Sequence, residues 1–294
     1  MESFIKNRQS LLMLLPAIVL FGIFVFWPTL YTFYLSFFDW NMVSSKKEFV
    51  GLENYIAVFT DSESYAVLWN TVVYILILMV LNFIVPYVLA FVLQFMIPKF
   101  KDFFKSAFFL PSFISMVVGS MIYNWMLNPS SGPVAEIAGF MGMSIPNWTT
   151  SQNLVILVIC YITAWKVFGY NFITLYAAVA SISEEIIENA RLDNVPTWRL
   201  FLDIVLPMSS SAGLFVLINT IVTGLQYVYT PISVVTSGGP DGASSNLVYE
   251  SYEQAFVLFD TGYSAAFSMV TLLLFAILLL VQIRVSERSV YYEN

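Results

Sequence analysis

Six apolar stretches, each long enough to cross a lipid bilayer, constrain this chain more than any other feature of its sequence. A helix needs about 20 predominantly apolar residues to span the hydrocarbon core. The stretches lie near residues 11–34, 68–93, 104–127, 154–179, 204–227 and 264–283. Only 11% of all residues are charged, whereas soluble domains have about 25%. The sequence therefore predicts an all-α polytopic membrane protein with six transmembrane helices in a single domain, residues 1–294.

The lysines and arginines are distributed unevenly between the two sides that these spans would separate. If the amino terminus is inside, the outer segments hold only Lys46 and Lys47. The inner segments hold nine cations: Lys6, Arg8, Lys99, Lys101, Lys105, Arg191, Arg199, Arg284 and Arg288. Because short cytoplasmic segments carry the excess of positive charge in membrane proteins, both termini are predicted to be cytoplasmic. The loop 180–203 then faces the cytoplasm as well.

This loop contains most of the longest charged segment of the chain, Ser183–Pro207. The residue pattern of the segment predicts a helix, a turn and a second helix. Ser183 is placed to cap the first helix, whose first turn is acidic, as the helix dipole favours. Pro196 disfavours helical geometry at the residue before it. The first helix should therefore end near Asn194, and the second can begin at Thr197. The first helix has a short apolar face that would let it dock, formed by Ile186, Ile187 and Ala190.

The same loop resembles the EAA loop of ABC-importer permeases. Glu188-Asn189-Ala190, Asp193-Asn194, Ile204 and Leu206-Pro207 follow the family order of E-A-A, three residues, G, and later I-x-L-P. Asn189 replaces the usual Ala and Asn194 the usual Gly, although Asn tolerates the left-handed conformation that such a turn requires. In the family this loop is a coupling helix that seats in a groove of the ATPase subunit. The resemblance implies ATPase-coupling roles for Glu185, Glu188, Asn189, Ala190, Asp193 and Asn194; the alternative is an ordinary solvated loop.

Further motifs in the same order along the chain resemble those of carbohydrate permeases. They are Phe49-Val50-Gly51-Leu52-Glu53-Asn54-Tyr55, Trp69-Asn70-Thr71, Phe109-Leu110-Pro111, Asn128-Pro129, Ser237-Gly238-Gly239-Pro240 and Asp260-Thr261-Gly262-Tyr263. The chain is thus similar to the transmembrane domain of a type I ABC importer of the sugar-uptake family. The resemblance implies a bacterial cytoplasmic membrane, a sugar substrate, a second homologous permease, two cytoplasmic ABC ATPases and an external solute-binding protein. ATP and magnesium would be bound by the ATPases, and this chain would need no cofactor.

Several kinds of chemistry are missing from the sequence. It has no G-x-x-x-x-G-K-[ST] motif for phosphates, no histidine, and a single cysteine, Cys160, within an apolar stretch. No metal-binding constellation and no basic stripe for nucleic acid is present. The acidic residues near 184–188 have no nucleophile or histidine beside them. The sequence therefore favours a transport subunit over an enzyme.

The apolar stretches carry polar side chains but no acids. Since secondary carriers usually place an ionisable group at membrane depth, a carrier or channel working without an ATPase is the less favoured alternative. Asn219, Thr223 and Gln226 are spaced by four and three residues and share one helical face. The predicted substrate-pathway residues are Tyr123, Asn124, Lys166, Tyr170, Asn171, Asn219, Thr223, Gln226 and Tyr227. Hydrogen bonding between helices is the competing explanation for such residues.

Lys166 is the only basic residue near the middle of a predicted span, since Lys105 lies at the very start of the span 104–127. A lone ammonium at that depth costs about 2.5–3.5 kcal/mol on insertion scales. Trp165-Lys166 and Gly169-Tyr170-Asn171 also resemble the fourth-helix motif of sugar permeases. Two roles stay open at this point: Lys166 borders a translocation cavity, or it is tied to backbone carbonyls or to an acid of another subunit.

Overall fold

The structure, a computed structural model, describes residues 13–289, without the side chains of Pro98, Gln282 and residues 285–289. Within this range the chain is mainly helical. The helices are α1 (Met13–Leu35), α2 (Glu53–Thr60), α3 (Ser62–Phe95), α4 (Lys101–Phe113), α5 (Met116–Met126), α6 (Pro133–Phe140), α7 (Gln152–Ala180), α8 (Glu184–Leu192), α9 (197–208), α10 (Ser210–Thr236), α11 (Leu247–Phe256) and α12 (Thr261–Ser289). Strands β1 (Phe38–Asp39) and β2 (Glu48–Phe49) pair antiparallel.

Five helices within residues 13–289 are each long and apolar enough to cross a membrane: α1, α3, α7, α10 and α12. The pair α4 and α5 makes a sixth if it counts as one span. The prediction of a helical, polytopic chain is therefore confirmed. Residues 11 and 12 of the first predicted span, with Lys6 and Arg8, lie outside the described residues.

The third predicted span, 104–127, is not one continuous helix, and that part of the prediction was wrong. The axes of α4 and α5 meet at 102°. Pro111 cannot donate the backbone hydrogen bond that would continue an α-helix, and residues Leu110–Phe113 form a tighter 3₁₀ turn. Ile114 and Ser115 then adopt extended backbone conformations, with ψ of 135° and 140°. The break comes from this local geometry, which apolarity alone does not reveal.

The fifth predicted span, 204–227, also has different bounds. Its first residues belong to α9, and Ser209 (ψ 13°) separates α9 from α10. Helix α10 then continues to Thr236, beyond the predicted end. Pro207 lies in the last turn of α9, just before this interruption. The apolar stretch is therefore divided between a short helix and a long one.

The chain divides into two compact units: residues 65–249 with 274–289, and residues 13–64 with 250–273. In the first unit α7 is central, since it packs against α3, α4, α5 and α10. One apolar cluster includes Tyr74, Ile159 and Leu225. A second includes Phe91, Leu175 and Val216. Both clusters draw on α3, α7 and α10, so these helices form the core from which the functional residues project.

In the other unit the motif residues between 49 and 55 have a structural role. The Asn54 amide donates hydrogen bonds to the carbonyls of Ser36 and Phe38, both at 3.0 Å. A Cβ atom at Gly262 would lie only 2.0 Å from the Phe38 carbonyl oxygen, so only glycine permits this close approach. The Tyr263 and Ser64 hydroxyls are 2.8 Å apart. These motifs therefore hold the hairpin, α2 and the start of α12 together.

Candidate functional sites

Helix α8 docks on its unit through a narrow apolar strip. Ile187 and Ala190, three residues apart, are buried and belong to the same cluster as Leu93 of α3 and Val179 of α7. Ile186, which the sequence placed on the same face, is 37% exposed. Its inclusion was wrong, because a helix of nine residues meets its neighbours along one row and Ile186 lies beside that row. The docked face thus consists of Ile187 and Ala190.

The two ends of α8 are formed differently. Ser183 directly precedes the helix, but its side chain makes no capping hydrogen bond. At the other end the helix stops at Leu192, and Asn194 has a left-handed backbone with φ of 55°. The N–H groups of Asn194 and Val195 donate to the carbonyls of Arg191 and Ala190, each at 3.0 Å. This is the Schellman pattern, so Asn194 fills the glycine position of the turn as expected.

The remaining predicted coupling residues are on the surface. Glu185, Glu188, Asn189, Asp193 and Asn194 are exposed, whereas Ala190 is buried beneath them. Ala190 therefore holds the helix in place and is not available on the outer face. The exposed face is acidic, with the carboxylates of Glu185, Glu188 and Asp193 within two and a half turns.

Arg191 connects α8 to the end of α3. Its guanidinium donates a 2.8 Å hydrogen bond to the carbonyl of Phe95, the last residue of that helix. A cation at a helix C-terminus is also favoured by the helix dipole. A cleft of about 240 Å³ beside it is lined in part by Glu188, Arg191, Lys101 and Gln94. Arg191 therefore links α8 directly to the end of α3.

Two apolar side chains on this surface were not among the predicted coupling residues. Leu192 is 79% exposed and Trp198 is 60% exposed. Leu192 ends α8, and Trp198 lies in the first turn of α9. Their signal in the sequence was a large apolar residue within a charged loop. Leu192 and Trp198 therefore add apolar area to the acidic exposed surface of α8 and α9.

A second candidate site is a cavity of about 310 Å³ between α4, α7 and α10. Five of the nine predicted pathway residues line it: Lys166, Tyr170, Asn219, Thr223 and Tyr227. Two further lining residues, Ser112 and Val167, were not predicted. Ser112 could have been noticed as a polar residue directly after Pro111 within an apolar stretch. The lining combines hydroxyl and amide groups, aromatic rings and one ammonium.

Lys166 takes part in both arrangements that the sequence left open. It borders the cavity. Its ammonium also donates hydrogen bonds to the backbone carbonyls of Ser112 and Ile114, both at 2.5 Å. These acceptors lie at the break between α4 and α5. Lys166 therefore joins the wall of the cavity to the bent span.

Asn171 is one of the predicted pathway residues that do not line this cavity. It is completely buried, and its amide donates to the Asn82 carbonyl at 2.7 Å and to the Thr220 hydroxyl at 3.0 Å. Asn82 lies in a π-helical turn of α3, Val80–Ile84. The structure thus places Asn171 in hydrogen bonding between helices, which was the competing explanation.

The other three predicted pathway residues also lie away from the cavity lining. Tyr123 is buried, and its ring packs edge-on against Tyr161 and Trp165. Asn124 and Gln226 are exposed. On α10, the Thr223 hydroxyl donates to the Asn219 carbonyl one turn earlier, at 2.5 Å. Asn219 and Thr223 therefore share a face as expected, while Gln226 does not reach the cavity.

Comparison with known proteins identifies full-length relatives. The chain is 31% identical over 276 residues to the probable ABC transporter permease protein YurN of Bacillus subtilis (strain 168), covering 93% of this chain and 94% of the relative. It is 28% identical over 284 residues to the sn-glycerol-3-phosphate transport system permease protein UgpA of Shigella flexneri, covering 96% and 95%. No family model matches the chain.

Two solved structures share the fold. One is a chain of a bacterial alginate ABC transporter in complex with alginate pentasaccharide-bound periplasmic protein, with a TM-score of 0.83 and 19% identity over 98% of this chain and 96% of that one. The other belongs to a bacterial ABC transporter involved in the import of the acidic polysaccharide alginate. Its TM-score is 0.79, with 19% identity and 98% coverage of both chains. At this identity the likeness concerns the fold alone.

Proposed function

This chain belongs to the family of ABC transporter permeases, and we propose that it is the membrane-spanning subunit of a binding-protein-dependent importer for a sugar or oligosaccharide. The relatives named above include a permease for sn-glycerol-3-phosphate and a transporter that imports alginate. Both solutes carry hydroxyl groups. The chain is a component of transport, and ATP with magnesium would be bound by partner subunits.

The observation that carries the proposal is the exposed, docked helix α8. Its apolar strip is buried against the unit that contains α3, α7 and α10, and its acidic face is open to solvent. Leu192 and Trp198 add exposed apolar area, and exposed apolar patches with polar rims mark protein interaction sites. An ATPase subunit with a basic and apolar groove would complement this surface.

The cavity suits a polar solute. Its volume of about 310 Å³ is at the lower end of the roughly 300–1,000 Å³ range of ligand pockets. Asn219 and Thr223 offer groups that bond to sugar hydroxyls, and Tyr170 and Tyr227 offer aromatic faces. A second, homologous permease would contribute the opposite wall, as expected from the family resemblance.

Transport then follows from coupling between distant sites. Closure of an ATPase dimer would move α8, and Arg191 would pass that movement to the end of α3. The pathway would change from inward-facing to outward-facing, and an external solute-binding protein must prefer the outward-facing state for the two events to be coupled. This arrangement requires α8 to be cytoplasmic, with both termini on the same side of a bacterial cytoplasmic membrane.

Gentle purification of the tagged chain tests the proposal. We expect an ABC ATPase and a second permease to copurify in stoichiometric amounts, identified by mass spectrometry. Uptake of radiolabelled sugar by liposomes containing the complex should require ATP and the binding protein. If the chain purified alone and transported solute without ATP, the proposal would be refuted in favour of a secondary carrier or channel.

A tryptophan at Thr223 should block the cavity without preventing assembly. Thr223 is partly buried and lines the cavity, so the indole would occupy the space that the solute needs. We expect uptake to fall by about two orders of magnitude, while the complex still assembles and hydrolyses ATP; about 2.7 kcal/mol of added barrier suffices for that loss. The measurements are uptake in liposomes, complex yield and ATPase rate. A loss of assembly instead would show that this face holds helices together.

A further inference from the structure

The break between α4 and α5 leaves backbone groups that need partners. Because Ile114 and Ser115 are extended, no further helical turn follows α4. The carbonyls at the end of α4 therefore lack the backbone N–H donors that such a turn would provide. Inside a membrane there is no bulk water to satisfy such groups, and each unsatisfied one costs several kcal/mol. A broken span is therefore stable where neighbouring residues, or water in a cavity, supply donors.

Lys166 of α7 supplies those donors. Its ammonium bonds to the carbonyls of Ser112 and Ile114 at 2.5 Å, and the Ser112 hydroxyl donates to the Lys166 carbonyl at 3.4 Å. A cation at the C-terminal end of α4 is also favoured by the helix dipole. Within the described residues, the structure contains an ion pair between Lys105 and Asp102 but none that includes Lys166. The backbone at the break is thus what holds this charge.

Residues on either side of Lys166 contact both halves of the bent span. One turn later, Gly169 allows the backbone of α7 to touch that of α4, since a Cβ there would lie 2.1 Å from the Phe108 carbonyl oxygen. One residue earlier, the Trp165 ring lies 3.3 Å from the Cβ position at Gly119 of α5. Trp165, Lys166 and Gly169 thus form a clamp on α7, with Lys166 at the bend itself.

We propose that Lys166 is a positioning residue that holds the third span bent, so that Ser112 lines the same cavity as Asn219 and Thr223. The proposal rests on the proposed function, in which this cavity is part of the solute path. Lys166 acts on the solute mainly through the shape of the cavity, because two of the three N–H groups of its ammonium donate to the two carbonyls. Loss of the ammonium should open the bend and enlarge the site.

Distance measurements on the reconstituted complex test the clamp directly. Spin labels would be placed on cysteines introduced at the exposed positions Phe103 of α4 and Met121 of α5, while Cys160 is buried. In the protein that retains Lys166, the two spin labels should give one narrow distance distribution. Lys166→Met keeps the length of the side chain but removes the donors, and should give a longer and broader distribution. Lys166→Arg keeps a cation with several donors and should restore the narrow one.

Transport kinetics provide the second readout. Lys166→Met should raise the KM for uptake about tenfold, because the enlarged cavity contacts the solute less closely, while the ATPase rate of the complex changes little. Lys166→Arg should recover most of the affinity. Lys46→Met, which removes a lysine from an exposed outer loop, is the matched control and should leave both readouts unchanged.

The outcomes separate this inference from the proposed function. An unchanged distance distribution in Lys166→Met together with altered uptake would mean that the ammonium binds the solute itself, and would overturn the clamp. A changed distribution with normal KM would overturn the link between the bend and the cavity. If the unmodified chain recruited no ATPase, the proposed function would fail, whereas the distance measurement would still decide whether Lys166 holds the bend.

Discussion

Reversal of charge at Glu188 is expected to abolish ATP-dependent uptake while the protein remains inserted and folded. Glu188 is exposed in the middle of α8, on the side away from the buried Ile187 and Ala190. Glu188→Arg therefore leaves the buried Ile187 and Ala190 in place, although it also adds a cation to the cleft that Arg191 and Lys101 line. Like charges brought together at an interface cost several kcal/mol, and about 2.7 kcal/mol corresponds to a hundredfold loss of docking affinity. We expect the ATPase to be lost during purification and uptake to fall by about two orders of magnitude.

A matched variant shows whether the effect is specific to α8. Glu136→Arg makes the same change at an exposed position of α6, which is predicted to lie on the opposite side of the membrane. This control should retain ATPase binding and uptake. Copurification, measured by quantitative mass spectrometry, and uptake in liposomes are the two readouts. Normal ATPase association together with normal uptake in Glu188→Arg would remove α8 from the coupling mechanism.

The local features of the loop could be predicted from the sequence because each depends on neighbouring residues. Pro196 restricts the residue before it, and Asn tolerates a left-handed backbone. The turn at Asn194 and the start of a helix at Thr197 accordingly appear where the sequence placed them. The misplaced Ile186 has a different cause. Which row of a helix is buried depends on the helices that it meets, and these are distant in the chain.

The same limit explains the outcome for the polar residues of the spans. Asn171 and Asn219 both lie in long apolar stretches, and nothing local distinguishes them. Asn171 is turned toward the π-helical turn of α3, where the carbonyl of Asn82 accepts its hydrogen bond. Asn219 lines the cavity. The difference arises from the rotation of α7 and α10 against their neighbours, which the sequence of either helix alone does not encode.

The broken third span was missed because counting apolar residues measures only whether a segment can enter a membrane. Pro111 was visible in the sequence and was interpreted only as part of a family motif. Its physical effect is the loss of one backbone donor, and the chain turns shortly after it, at Ile114 and Ser115. The lone cation Lys166 was the complementary signal, since an ammonium that is partly buried requires acceptors. A proline alone does not predict such a break, since Pro86 lies within the continuous span of α3; at Pro111 the lone lysine of α7 is the additional signal.

Replacement of Gly169 by alanine is expected to destabilise the protein strongly. A Cβ atom at this position would lie 2.1 Å from the carbonyl oxygen of Phe108 and 2.6 Å from the Cα of Phe109. Both are backbone atoms, so no change of rotamer relieves the clash, and α4 must move away from α7. Overpacking of a well-packed interior typically costs about 1–3 kcal/mol and occasionally more. We expect the destabilisation by Gly169→Ala to lie at the upper end of this range. We expect a sharp loss of monodisperse protein in detergent and a lower melting temperature.

Alanine at Gly139 is the control for this prediction. Gly139 lies in helix α6, and no atom beyond its own surroundings lies within 4 Å of its Cβ position. Alanine there should be neutral or stabilising, by up to about 1 kcal/mol from helix propensity. Separation of α4 from α7 would also pull the Ser112 and Ile114 carbonyls away from Lys166. The few molecules of Gly169→Ala that still assemble should therefore transport poorly, whereas a melting temperature and uptake equal to those of Gly139→Ala would show that α7 does not depend on this close approach.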